Sequence, residues 1–169
     1  NGQFRTPRHI IKMMVQLLAP KPDDTICDPA CGTSGFLVAA GEFLRNHHHD
    51  EIFFDEQNKE HYNNNMFWGY DMDRTMLRIG AMNMMTHGVE NPNIFYRDSL
   101  SDQNIDENKF SMILANPPFN LSDWGQGALQ EDVRWQYGLP PAGNANFAWM
   151  QHMIHHLAPN GKIGLVLAN

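Results

Sequence analysis

No run of about 18 consecutive apolar residues occurs in this sequence, which excludes an ordinary membrane-spanning helix within it. Its first residues, Asn1-Gly2-Gln3-Phe4-Arg5, lack the charged-then-apolar order of a secretory signal, so the expected location is cytoplasmic. Cysteine is scarce. Cys27 and Cys31 are the only two, too few for a disulfide framework, and reduced thiols are expected. Positive charge is scarce as well: 12 Lys and Arg against 19 Asp and Glu leave a net charge of -7. A protein that grips a polyanion unaided normally carries a basic surface that displaces counterions, and this chain has none to offer. Two glycine signatures are also missing. The chain has neither the Gly-Lys-Ser/Thr ending of a phosphate-binding P-loop nor the Gly-x-Gly-x-x-Gly dinucleotide fingerprint, which disfavours a nicotinamide oxidoreductase.

What is present suffices for one domain with a substantial core: 169 residues, 42% of them hydrophobic, with no internal repeat and no linker. Strand and helix alternate about five times. Short apolar runs at 25–28, 66–71, 93–97, 110–115 and 162–167 predict strands, and 3.6-residue periodicities predict helices after residue 7, from 36 to about 46, from 74 to 87 and from 146. Thr6 is the expected N-cap of the first helix, with Pro7 as its first residue. The methionines of the 74–87 helix are expected to pack in the core. Residues 47–65, with His47-His48-His49 and Asn63-Asn64-Asn65, read as a solvated loop with room for a helical turn. No ligand framework surrounds the histidine triplet, and His152, His155 and His156 are expected to be solvated or satisfied rather than metal ligands. Alternation of this kind implies an α/β fold, a mostly parallel sheet with helices on both faces.

Chemistry gathers at the predicted strand ends. The strand at 110–115 ends in Asn116-Pro117-Pro118-Phe119, at the edge where open α/β sheets bind ligands. The Asn116 side-chain carbonyl and the Pro117 backbone carbonyl can both accept from one planar amino group, drawing it out of conjugation so that its nitrogen becomes nucleophilic. Pro117 and Pro118 stiffen the turn that aims those acceptors, and Phe119 offers an aromatic face to a base taken out of its stack. After the strand at 25–28, the turn Asp28-Pro29-Ala30-Cys31-Gly32-Thr33-Ser34-Gly35 brings backbone N-H groups close to a ligand, while Asp28 supplies a negative charge. Sites for a carboxylate and an ammonium together describe the methionine end of S-adenosylmethionine. Asp71, at the end of the second strand, is placed to accept from ribose hydroxyls, although its separation from the Gly-rich turn exceeds the usual ~20 residues. Asp98, followed by Ser99, either accepts from the exocyclic amine of the cofactor adenine or caps its own turn. The long segment 120–145, rich in tryptophan and glycine, either closes over a flipped base or docks another domain.

In this order the motifs resemble those of the DNA adenine-N6 methyltransferases, specifically the modification subunits of type I restriction-modification systems. Phe4-Arg5-Thr6-Pro7 is similar to the family's N-terminal cofactor motif, residues 28–36 to its Gly-rich motif, and Asn144-Ala145-Asn146-Phe147-Ala148-Trp149 to its later conserved segment. The resemblance implies a Rossmann-like S-adenosylmethionine-dependent methyltransferase fold, here a catalytic domain over 1–169 that stops after the fifth strand, without the family's N-terminal helical domain and final strands. It implies cofactor contacts from Gln3, Phe4, Thr6, Pro7, Asp28, Ala30, Gly32, Thr33, Ser34, Gly35, Asp71, Asp98, Ser99 and Asn116. Catalysis would fall to Asn116, Pro117, Pro118 and Phe119, with no metal. Implied partners are double-stranded DNA, a DNA-sequence specificity subunit and a restriction (motor) subunit, with no membrane. Amide amines of protein glutamine and amines of RNA bases share the same geometry and remain alternative substrates, as does a cofactor-binding subunit without catalysis.

Overall fold

In a computed structural model, residues 5–103 and 106–167 are described; Gln3 and Phe4 therefore lie outside the described residues. Five strands, β1 (Ile26–Asp28), β2 (Phe67–Asp71), β3 (Asn93–Tyr96), β4 (Phe110–Ala115) and β5 (Leu157–Leu165), form one sheet in the order β3-β2-β1-β4-β5. Every pairing is parallel. The chain first winds outward from β1 through β2 to β3, then returns to place β4 and β5 on the opposite side of β1. The direction of winding thus reverses between β1 and β4.

Alternate strand residues feed two cores, as the pleat requires. Ile26, Phe67, Met112 and Leu114 face a cluster with Val15, Phe36, Leu37, Ala40, Leu44 and Met84, carried by α1 (Arg8–Leu18), α2 (Gly35–His47) and α5 (Arg74–Thr86). On the other face Cys27, Tyr70, Ile113 and Ala115 meet Met153 of α6 (Asn146–His156). The expected two-faced arrangement is therefore present. Cys27 and Cys31 are free and buried. Among the described residues, no helix is long and apolar enough to cross a membrane.

Four local expectations need correction. Residues 47–65 are not a loop but two short helices, α3 (His49–Phe53) and α4 (Glu56–Asn64), because Ile52 and Tyr62 are fully buried in the first core and Asp55 caps α4 through the Asn58 N-H. The methionines of α5 are mostly outside it. Leu77, Gly80 and Met84 make the buried stripe, whereas Met76, Met82 and Met85 are exposed. Thr6 does not cap α1: the helix begins at Arg8, Pro7 occupies the cap position in an extended conformation, and no side chain caps it. Finally, β5 starts at Leu157 rather than at Lys162, with a register irregularity that absorbs Pro159-Asn160-Gly161, where Asn160 is left-handed at φ 64°. Asp73 caps α5 as an N-cap acid does, accepting from the Thr75 and Met76 N-H groups.

The long connection between β4 and α6 is a packed unit with its own core of Leu100, Trp124, Leu129, Trp135, Ala148 and Trp149. At its centre Arg134, only 1% exposed, donates to both carboxylate oxygens of Asp132, to the Ser99 and Leu100 carbonyls and toward His152 Nδ1. Burial, then the neighbouring His156 and Arg134, hold His152 well below the usual histidine range, so it is neutral and able to accept. Because removing Arg134 leaves Asp132 buried and unpaired, Arg134→Leu is expected to destabilise the fold by roughly 3–5 kcal/mol in urea denaturation. The double variant with Asp132→Leu should recover most of that loss; equal destabilisation of the single and double variants would contradict the ion-pair account.

Candidate functional site

Three segments distant in sequence meet at the carboxyl edge of the sheet: the residues before α1, the turn after β1 and the turn after β4. The first is held in place by α1. A Cβ built on Gly35 would lie 3.3 Å from Ile11, and one on Gly164 of β5 would lie 2.9 Å from Leu18 and 3.2 Å from Met14, so α1 sits tightly across the start of α2 and the β5 strand. At the end of that segment Thr6 meets the tetrad. Asn116 Nδ2 donates to Thr6 Oγ1 at 2.8 Å across 110 residues of sequence, which is why the threonine hydroxyl is not at the helix end.

The turn after β1 is fixed by β2 and by the segment that follows β3. Asp71 Oδ2, at the end of β2, accepts from the Gly32 N-H at 2.9 Å, while its Oδ1 accepts from the Asp73 N-H. The Ser99 hydroxyl also donates to the Pro29 carbonyl at 2.7 Å, and the Cys31 N-H donates to the carbonyl of Tyr70, next to Asp71. Gly32 takes a left-handed φ of 51°, and a Cβ placed there would meet nothing within 4 Å. Its backbone is therefore open to a ligand. Ser34, fully buried, also sits left-handed at φ 67°, a conformation that costs a non-glycine residue roughly 1 kcal/mol. α5 approaches this turn so closely that a Cβ on Gly80 would fall 2.5 Å from Ser34 Oγ, and Asn83 donates to the Thr33 carbonyl.

Asp28 ends β1 beneath this turn. It is 2% exposed and accepts from the Ala30 N-H at 3.0 Å. Burial pushes its carboxyl up to about 8; the Ala30 hydrogen bond opposes this and the Asp71 charge adds to it. A carboxyl held in this way is suited to a cationic partner, whose charge would replace the lost solvation.

The tetrad follows β4 directly. Asn116 is partly buried and Pro117 buried, while Pro118 and Phe119 are half-exposed. No described group donates to the Pro117 carbonyl. Beyond it, Asn120 is held in a left-handed turn by an amide cluster: its N-H donates to Asn146 Oδ1, and its Oδ1 accepts from Asn144 and Asn146. This closes the ends of the 120–145 segment, and the exposed Phe147 follows Asn146 of the cluster directly in the chain. Arg134 has no counterpart among the sequence expectations, and Asn144 and Asn146 enter there only within the family-like segment 144–149. The recurring Asn-x-Asn at 144–146 was the only local signal.

Asp98 is placed differently from the others. It is exposed, and its Oδ1 accepts from the Leu100 N-H, the turn-capping role that was one of its two expected uses. The Ser99 side chain faces Pro29 and so braces the Gly-rich turn. Among the described residues, no group of three or more His, Cys, Asp and Glu is arranged to hold a metal ion. His156 is buried, its Nδ1 bonded to the His152 carbonyl and its Nε2 accepting from the Asp106 N-H.

A parallel sheet whose winding reverses between β1 and β4, with a glycine turn and an acid at that edge, makes a Rossmann-like fold, the fold of S-adenosylmethionine-dependent methyltransferases. A likeness in fold alone extends to a putative class I S-adenosylmethionine-dependent methyltransferase of Listeria monocytogenes, at TM-score 0.64 and 14% identity over 94% of this chain and 43% of that one. The family described as N-6 DNA Methylase matches residues 1–169, and the chain belongs to it. It is 39% identical over 170 residues to the methylase subunit of the type I restriction enzyme HindI from Haemophilus influenzae, covering 100% of this chain and 36% of that protein. The crystal structure of the M protein of EcoKI, a type I restriction enzyme of Escherichia coli, superposes at TM-score 0.78 with 26% identity, over 98% of this chain and 34% of that one. The chain thus spans about a third of the length of these relatives.

The raised Asp28 pKa has a measurable sign. An acid at about 8 when folded and near its ordinary value of 3.8 when unfolded contributes full stability below that lower value and loses it as pH rises toward 8. Asp28→Asn should therefore raise the melting temperature of the ligand-free protein at pH 8 by several degrees, with the two melting curves converging by pH 4. An Asp28→Asn protein no more stable than wild type at pH 8 would contradict the buried-carboxyl account.

Proposed function

We propose that residues 1–169 are the catalytic domain of a DNA adenine-N6 methyltransferase that takes its methyl group from S-adenosylmethionine and acts as the modification subunit of a type I restriction-modification system. The observation that carries this reading is the meeting of Thr6, the Gly-rich turn and Asn116-Pro117-Pro118-Phe119 at one sheet edge. Family membership supports a DNA amine as the substrate over protein glutamine or RNA.

The residues at the edge fit the cofactor. The open backbone at Gly32 and the N-H groups of residues 30–35, with the backbone at Thr6 and Pro7, would take the methionine end, and the buried Asp28 would face its ammonium. Asp71, already braced by Gly32, keeps lone pairs that would take the ribose hydroxyls, and Asp98 and Ser99 would meet the adenine. Gln3 and Phe4 belong to the same proposed set. Bound there, the cofactor supplies a methyl group made electrophilic by its sulfonium. Asn116 Oδ1 and the Pro117 carbonyl accept from the target amine and draw its nitrogen lone pair out of the ring, Pro118 holds the turn, and Phe119 stacks on the flipped base. The protein's work is orientation and polarisation rather than proton abstraction.

Double-stranded DNA would be bound with help. A net charge of -7 suits a chain whose phosphate contacts come largely from elsewhere in the assembly, from a specificity subunit that selects the sequence and a restriction (motor) subunit that acts on unmodified sites. In the full-length subunit paired with its specificity subunit, Asn116→Ala is expected to lower methyl transfer to DNA by roughly 1000-fold, the scale of a lost transition-state hydrogen-bonding group. Its Kd for S-adenosylmethionine should stay within about threefold of wild type. Unchanged transfer by this variant would sink the assignment.

A further inference from the structure

We infer that Thr6 is a positioning residue whose hydroxyl orients the Asn116 side-chain amide for the target amine, an inference that rests on the methyltransferase reading above. The terminal torsion of an asparagine is broad and nearly two-fold, so the backbone and rotamer of Asn116 do not by themselves decide which way its oxygen and nitrogen face. The two orientations are chemically opposite. With the oxygen toward the substrate the amide accepts a hydrogen bond from the amine; reversed, it presents an NH2 group to an NH2 group and no bond forms.

In the structure Asn116 Nδ2 donates to Thr6 Oγ1 at 2.8 Å, so the amide stands in the first orientation, with its nitrogen tied to the N-terminal segment. Thr6 is itself held by an anchored element. Lys162 Nζ donates to the Leu18 carbonyl at the far end of α1, Val15 is buried in the first core, and Ile11 lies against Gly35. The Ile10 and Ile11 N-H groups both return to the Pro7 carbonyl, which ties the first turn of α1 to the residue next to Thr6. Pro7, extended at ψ 144°, carries the chain away from the helix axis at this point, and the hydroxyl reaches the tetrad instead of the helix end. In this way the N-terminal motif serves the catalytic turn directly, in addition to any backbone contact it makes with cofactor.

The test compares Thr6→Val, which keeps the shape and removes the hydrogen bond, with Thr6→Ser, which keeps the hydroxyl, in the full-length subunit with its specificity subunit. Thr6→Val is expected to lower kcat for adenine methylation by roughly 10- to 100-fold, the scale of a lost orienting hydrogen bond. Its melting temperature and its Kd for S-adenosylmethionine, measured by calorimetry, should remain near wild type, and Thr6→Ser should recover most of kcat. A Thr6→Val enzyme with wild-type kcat would overturn the inference, as would a defect confined to cofactor affinity or one that Thr6→Ser fails to rescue. If wild-type protein itself transfers no methyl to DNA, it is the underlying reading that fails, and the two failures are thereby told apart.

Discussion

The seam between β1 and β4 governs the rest of the molecule. Ile26 and Cys27 pair there with Met112 and Ile113, and on either side of the seam the crossovers leave in opposite directions. Strands in parallel register must end at a common edge, and where two neighbouring connections diverge, nothing of the sheet's own covers that edge. The switch point of this topology lies between the turn after Asp28 and the turn after Ala115. Other elements brace both of those turns: Asp71 and Ser99 hold the first, Thr6 and the Asn120 amide cluster the second.

The edge departs from ordinary folding preferences where the proposed chemistry needs it to. Asp28 is a buried carboxyl with no cationic partner among the described residues, Ser34 is left-handed without being glycine, and Gly80 stands in a helix interior because α5 must come within contact of the turn. Each is unfavourable taken alone. They occur together beneath one turn, and the cores on both faces of the sheet offset them. Such clustering is what a ligand-binding site looks like when stability has been given up locally for binding.

Much of this arrangement was legible in the sequence, for reasons that also explain what was not. The strand before the tetrad, at 110–115, has the bounds its apolar run implies, since a strand buried on both faces writes itself as a continuous run. Acids and tetrad at strand ends were likewise visible, because strand termini are local. Thr6 was misread because a threonine before a proline and an apolar helix is the local pattern of a cap, whereas its partner lies 110 residues away. The helices within 47–65 were hidden by polar composition: α4 buries only Tyr62 and Asn63. The α5 methionines were counted as core because periodicity marks an apolar face but not how much of it a neighbour covers, and here Gly80 brings only a narrow stripe into contact.

Nucleoside mass spectrometry on unmethylated DNA tests the account most directly, after incubation of the full-length subunit and its specificity subunit with methyl-labelled S-adenosylmethionine. Labelled N6-methyladenine formed only when both subunits are present is the expected result. Confirmed cofactor binding with no labelled base in the DNA, or with label appearing in protein or RNA instead, would contradict it.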